Sequence, residues 1–373
     1  MRRLNSLRIL HVGKFYPPHM GGMEIHLQAL CGELRKSLDV SVLVANDGPR
    51  DIEECQDGVQ ISRAGEWLNV AGASICPSMA RKIREARADL VHMHLPNPPA
   101  VLAYLGSGHR GPLVATWHLD VVRQKALARL FRPFERLFLR RCSALIASSP
   151  NYVESSPTLS AYRERCSVIP YGIPVERFDN CDQGASERIR ARYGPRIVLS
   201  VGRLVYYKGF EYLVRAMAGV DAKLLLIGDG PLRAKLEEEA RAAGAADKVV
   251  FLGEISNELV APYYHAADIF VLPSVARSEA FGIVQLEAMA CGRPVVNTKV
   301  DSGVPFASLD GETGLTVPPA DSHALCKAIN TLLTDSTLCA RFARAAVQRV
   351  RREFTVERMA ERTLDIYSSV AHA

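Results

Sequence analysis

Short runs of branched and aromatic apolar residues alternate with segments of helical spacing along most of this chain. That alternation constrains the fold more than any other feature. The opening "LRILHVG", then "DVSVLVAND" (39–47), "DLVHMHLPNP" (89–98), "LVATWHLD" (113–120) and "CSALIASSP" (142–150) each read as a buried strand. The pattern restarts with "PRIVLSVGRL" (195–204), "AKLLLIGDG" (222–230), "KVVFLGEIS" (248–256), "DIFVLPSV" (268–275) and "RPVVNTKV" (293–300). Strands alternating with helices form a parallel sheet covered on both faces. Two such series predict an α/β protein of two Rossmann-like, doubly wound domains facing each other across a cleft. Ligands in such sheets sit at the carboxyl ends of the strands. The boundaries are placed at 1–172, 173–352 and a closing segment 353–373. The turn-rich "CSVIPYGIPVERFDN" (166–180) is the candidate linker, and "EFTVERMAERTLDIYSSV" (353–370) reads as a helix capped by Thr355.

Composition agrees with that organisation. A chain of 373 residues can build two cores, and 48% apolar with 23% charged residues is the balance of a soluble globular protein. It holds no apolar run of about 18 residues, so no transmembrane helix is expected. The basic start "MRRLNSLRILHVG" runs straight into a strand and does not read as a signal peptide. Nine scattered cysteines without a C-x-x-C pair point to free thiols in a reducing cytosol. The net charge of +6 is uneven: residues 123–141, "RQKALARLFRPFERLFLRR", hold seven Arg or Lys against Glu135. Leu127, Leu130, Phe131, Phe134, Leu137 and Phe138 follow the helical period there, with Pro133 as a point for a kink. Such a basic amphipathic helix has two readings: a core-facing stripe with a solvated back, or a surface for anionic lipid headgroups. No nucleic-acid motif accompanies the charge, and no nucleic-acid partner is expected.

Several familiar motifs fail on context. "GSGHRG" (106–111) matches G-x-G-x-x-G but precedes a strand, where a dinucleotide site needs it to open a helix. "GDGPLR" (228–233) follows a strand but has Arg233 where a small residue belongs. A dehydrogenase is therefore disfavoured, and no P-loop exists. His92 and His94 share one strand face without a further ligand near them in sequence, so no metal site is expected there. No Asp-x-Asp pair is present to hold a divalent ion on a diphosphate.

The groups that remain suit an anionic ligand. "SEAFGIVQLEAM" (278–289) places Glu279 in the loop after a strand and Glu287 one to two turns into a helix. The amides of Phe281, Gly282 and Ile283 lie at that helix start, where phosphate oxygens are favoured. The plain alternative is a helix with an acidic first turn and a surface Glu287. "GRLVYYKG" (202–209) sets Arg203 and Lys208 just past the first strand of the second domain, able to stabilise a departing diphosphate. "HMGGME" (19–24) lets backbone amides approach phosphate at Gly21 and Gly22, and His118 sits at a strand end beside Asp120.

Together these segments resemble one family, the retaining glycosyltransferases of family 4 with the GT-B fold. The resemblance runs from "HVGKFYPPHMGGME" through "TWHLDVVRQ", "VIPYGIPVERF", "VGRLVYYKGFEYL" and "IGDGPL" to "SEAFGIVQLEAMACGRPVV" and "GETGLTVPP". "EAFGIVQLE" is similar to the family's E-x7-E motif. The resemblance implies that Glu279 meets the donor sugar and Glu287 the nucleotide ribose. It also implies that Phe281, Gly282 and Ile283 serve sugar and diphosphate through their amides, and that Arg203 and Lys208 bind the diphosphate. Gly22 then lies beside the diphosphate and His118 near the sugar. The first domain would bind acceptor, the second the nucleotide sugar, and the closing helix would pack back on the first. "VGRLVYYKG" and "TWHLDVVRQ" resemble most the bacterial subgroup building O-antigen and exopolysaccharide. That subgroup implies GDP-mannose as donor, a lipid-linked saccharide as acceptor, no cofactor and no metal, and work at the inner face of the plasma membrane. A UDP- or dTDP-sugar donor, a GT-B sugar-nucleotide epimerase and a non-enzymatic nucleotide-sugar-binding scaffold are the competing readings.

Overall fold

The computed structural model describes residues 7–19, 21–70, 72–120, 125–179 and 182–371, and for residues 125–128 the backbone alone. The chain forms two compact units, Met1–Gly172 with Val356–Ala373, and Ile173–Thr355. The second unit thus ends at Thr355, three residues beyond the expected 352. The closing helix Val356–Ala371 belongs to the first unit, where its Val356, Met359, Ala360 and Tyr367 share a core with Leu27 and Leu30.

The first unit holds β1 (Arg8–Val12), β2 (Asp39–Ala45), β3 (Ile52–Gln56), β4 (Val59–Ala64), β5 (Leu68–Val70), β6 (Ala73–Ile75), β7 (Leu90–Leu95), β8 (Leu113–Trp117), β9 (Ala144–Ala147) and β10 (Cys166–Val168). Eight of these form one sheet in the order β10-β9-β8-β7-β1-β2-β4-β3, and β5 pairs with β6. The sheet is not wholly parallel. β3 runs antiparallel to β4 through Asp57-Gly58, both at positive φ (49° and 76°), as a two-residue hairpin requires. The linker segment 166–180 does contain the division between the units, at Gly172 and Ile173, but its first residues, Cys166–Val168, are the sheet's edge strand beside β9.

Side chains alternate across a strand, so each central strand feeds two cores. Leu10, Val12, Val91, Met93 and Ala115 enter one, while Ile9, Leu90, Val114 and Ile146 enter the other with the helices Gly22–Leu34 and Val356–Ala371. By the same alternation His11, His92, His94 and Thr116 fall on that second face. The register sets His11 beside His92 and His94 beside Thr116.

The second unit holds β11 (Ile197–Val201), β12 (Lys223–Ile227), β13 (Val249–Gly253), β14 (Ile269–Leu272), β15 (Val295–Thr298) and β16 (Gly314–Val317). All pair in parallel, in the order β13-β12-β11-β14-β15-β16. Leu224, Leu226, Val271 and Val296 are fully buried in its core. Burying each such side chain contributes about 1.5–3 kcal/mol. The strand order reverses between β11 and β14, and a crevice opens at the carboxyl ends of the strands at such a point.

Candidate active site

The loops leaving β11 and β14 bring three predicted residues to that reversal. Arg203 is exposed and Lys208 buried after β11, and Glu279 is buried after β14. Lys208 Nζ lies 2.6 Å from Glu279 Oε2, and Ser274 Oγ donates to the same oxygen at 3.1 Å. The Val275 amide donates to the Tyr207 carbonyl at 2.8 Å, tying the two loops together. Glycines make the close approach possible. A Cβ on Gly228 would stand 2.2 Å from the Gly202 carbonyl oxygen, and one on Gly202 3.2 Å from Lys208 Cε. The result is a buried cation held by a carboxylate at a strand terminus, with a second cation exposed nearby in sequence. Such a set can bind an anion through the cations and hydroxyls through the carboxylate.

The helix Ile283–Ala290 opens on Gly282, which adopts φ 72°. Phe281 is buried against Phe306 and Phe354, and Gln285 Nε2 donates to its carbonyl at 2.6 Å, so the helix start is held from beneath. Ile283 is half-buried. Glu287 is not the surface residue of the plain alternative. It is half-buried, its Oε2 accepts from the Tyr264 hydroxyl at 2.7 Å, and burial raises its carboxyl pKa. Ser274, five residues before Glu279, and Tyr264, 23 before Glu287, escaped the sequence reading because no spacing rule marks either as a partner.

In the first unit, Gly22 is exposed at the start of the helix Gly22–Leu34, with Gly21 as its N-cap. His118 is buried, and both its ring nitrogens are engaged within the unit. Nε2 lies 3.0 Å from His94 Nδ1, and Nδ1 lies 2.6 Å from the Tyr171 hydroxyl. Asp120 does not serve His118: its carboxylate accepts from Trp117 Nε1 at 3.0 Å and Ser156 Oγ at 2.9 Å.

The contacts continue inward from His94. His94 Nε2 lies 3.0 Å from His11 Nδ1, and His11 Nε2 lies 3.2 Å from the Tyr367 hydroxyl. That hydroxyl stands 2.5 Å from His92 Nδ1, and His92 Nε2 stands 2.7 Å from Thr116 Oγ1. Burial lowers the pKa of His11 to about 3 and lowers those of His92, His94 and His118. His26, also lowered to about 3 by burial, packs edge-on to His118 with neither ring nitrogen hydrogen-bonded. Among the described residues, His11–His92–His94 and His26–His94–His118 each bring ring nitrogens within 4.8 Å of one another. Sequence spacing could not show this, because the rings come from separate strands and a helix.

Two doubly wound units on mainly parallel sheets in one chain have the GT-B architecture. The chain belongs to glycosyltransferase family 4. The model of Glycosyltransferase Family 4 matches residues 20–177, and that of Glycosyl transferases group 1 matches residues 184–349. The chain is similar to D-rhamnosyltransferase WbpZ of Pseudomonas aeruginosa, at 34% identity over 94% of this chain and 92% of the relative. It is also similar to O-antigen chain mannosyltransferase C of Escherichia coli, at 30% identity over 98% and 99%. Among solved structures, Anabaena Alr3699/HepE in complex with UDP shares the fold, with TM-score 0.80 and 23% identity over 97% of this chain and 100% of that one.

Proposed function

We propose that this glycosyltransferase is a retaining, metal-independent hexosyltransferase. It moves mannose from GDP-mannose to a lipid-linked saccharide in the synthesis of cell-surface polysaccharide. The observation that carries the reading is the buried Lys208–Glu279 pair at the strand reversal of the second unit. In the proposed reaction Lys208, Arg203 and the amides of Phe281, Gly282 and Ile283 stabilise the diphosphate as it leaves. Glu279 accepts hydrogen bonds from sugar hydroxyls and Glu287 from the ribose, and the family resemblance assigns Gly22 and His118 to the donor as well. The acceptor's proton passes to the leaving phosphate on the face it departs from, which retains the anomeric configuration and asks for no separate base.

Two features support a lipid-linked acceptor at a membrane surface. Leu130 (75% exposed), Phe134 and Leu137 stand out on the helix Lys125–Arg141 beside exposed Arg129, Arg132, Arg136 and Arg140. Beneath that helix, Leu95, Val101, Trp117, Phe131 and Phe138 line a largely apolar cavity of about 360 Å³. No helix among the described residues is long and apolar enough to cross a membrane. A D-rhamnosyltransferase among the relatives favours one second reading: D-rhamnose is mannose without its 6-hydroxyl, so a GDP-linked 6-deoxy sugar is the competing donor.

The test is thermal unfolding in the absence of metal against GDP, UDP, ADP and dTDP, then the matching sugars. A nucleotide at 100 times its Kd stabilises the fold by about 2.7 kcal/mol. Selective stabilisation by GDP, with transfer from GDP-mannose, supports the reading. Transfer from GDP-D-rhamnose alone selects the second. A response to UDP or dTDP alone discards both donors, and a response that appears only with magnesium discards metal independence.

A further inference from the structure

Four of the five buried histidines of the first unit lie in one unbroken chain of contacts: Thr116, His92, Tyr367, His11, His94, His118, Tyr171. A neutral imidazole carries a single N–H, so it donates from one nitrogen and accepts at the other. Each direct His–His contact therefore needs one ring to donate and the next to accept. His94 sits between two of them, through Nε2 to His11 and Nδ1 to His118, both at 3.0 Å. If His118 donates from Nε2, His94 must accept at Nδ1 and donate from Nε2, and His11 must do the same towards Tyr367. If His11 donates from Nδ1, the direction reverses and His118 donates from Nδ1 towards Tyr171. The three rings have only these two fully bonded arrangements, all Nε2–H or all Nδ1–H.

We infer that His11, His94 and His118 share one tautomer and change it together, so that Tyr367 and Tyr171, at the two ends, are positioning residues for His118. Tyr367 lies on the closing helix, which gives that helix a chemical as well as a packing role in the first unit. His118 is reached through two intervening rings, with no contact from Tyr367 itself. All four hydrogen-bonded imidazoles are buried, so the neutral form the chain requires is also the form that burial favours. Only the consequence for transfer rests on the proposed role of His118 at the sugar.

Long-range ¹⁵N–¹H spectra of the full chain, labelled at histidine, read the tautomer of each ring directly. The wild type is expected to show His11, His94 and His118 in the same tautomer. Neighbouring rings of opposite tautomer overturn the inference, and that outcome depends on no variant folding. The wild-type tautomer also identifies the accepting end, which is Tyr367 for Nε2–H and Tyr171 for Nδ1–H. Replacing that tyrosine, by Tyr367→Phe or Tyr171→Phe, leaves a buried N–H without an acceptor, and the signals of all three rings are expected to shift together. A shift confined to the adjacent ring in the folded variant overturns the inference, as does no shift. A merely structural tyrosine would lower Tm and leave the distant tautomer unmoved. Should the three rings shift while transfer is unchanged, the chain stands and the His118 ring is removed from the proposed reaction.

Discussion

At the residue scale, two glutamates of one motif occupy opposite electrostatic situations. Glu279 is paired with Lys208, both nearly buried, and removing one partner of such a pair costs about 3–5 kcal/mol because the other charge stays uncompensated. Glu279→Ala is therefore expected to lower stability by roughly that amount in chemical denaturation and to abolish transfer while GDP still binds. Wild-type transfer by the variant would sink the assignment. Glu287 has a carboxyl raised by burial, so its contribution to stability is present below the unfolded value and lost as pH rises through the folded one. Glu287→Gln cannot ionise. Its stability is expected to fall less than that of the wild type as pH rises from about 4.5, the ordinary Glu value, towards neutrality. Parallel denaturation series at each pH read the difference.

At the element scale, the helix Ile283–Ala290 depends on the residue before it. Gly282 holds φ 72°, and a Cβ there would stand 2.4 Å from Leu272 Cδ2. Gly282→Ala is expected to cost at least about 1–2 kcal/mol from the left-handed conformation alone and to weaken nucleotide stabilisation, both read from melting curves. The helix Lys125–Arg141 makes the other case. Its apolar period is plain in the sequence, yet the stripe does not have one destination. Phe138 is buried and Phe131 half-buried, while Leu130, Phe134 and Leu137 face water, and the side chain of Leu127 lies outside the described residues. Pro133 lies inside a continuous helix. Replacing Arg129, Arg132, Arg136 and Arg140 by Ser is expected to reduce binding to anionic liposomes, each cation contributing about 1 kcal/mol near such a surface. Unchanged binding refutes membrane contact by this helix.

At the scale of the whole molecule, the buried histidines among the described residues all fall in one unit. His11, His26, His92, His94 and His118 are all buried in the first unit and held below the ordinary histidine value of 6.5. A depressed histidine contributes stability above its unfolded value that is lost as pH falls towards the folded one. Below 6.5 the unfolded chain takes up protons that these buried rings do not, so stability falls with pH. The first unit is then expected to lose stability as pH falls below 6.5. The second unit has none of these five groups and should outlast it. Calorimetry at falling pH should show one transition moving down ahead of the other; a single transition that stays put between pH 7 and 5 would contradict this.

The sequence by itself determined the two series of strands, the mainly parallel sheets and the loops that carry Arg203, Lys208 and Glu279. Each of those signals is local: a short apolar run, a helical period, a turn residue at a strand end. The β3–β4 hairpin was legible too, in Asp57-Gly58 between Val59 and the exposed strand before it, but the alternation of strands and helices masked it. Only the tertiary structure decided the partners. Ser274 for Glu279, Tyr264 for Glu287 and Tyr367 for His11 and His92 come from residues 5 to 356 positions apart. Their meeting depends on strand order, register and helix packing. Residue type and local spacing specify which face a side chain takes; what it meets there is set by which other element the hydrophobic core brings against that face.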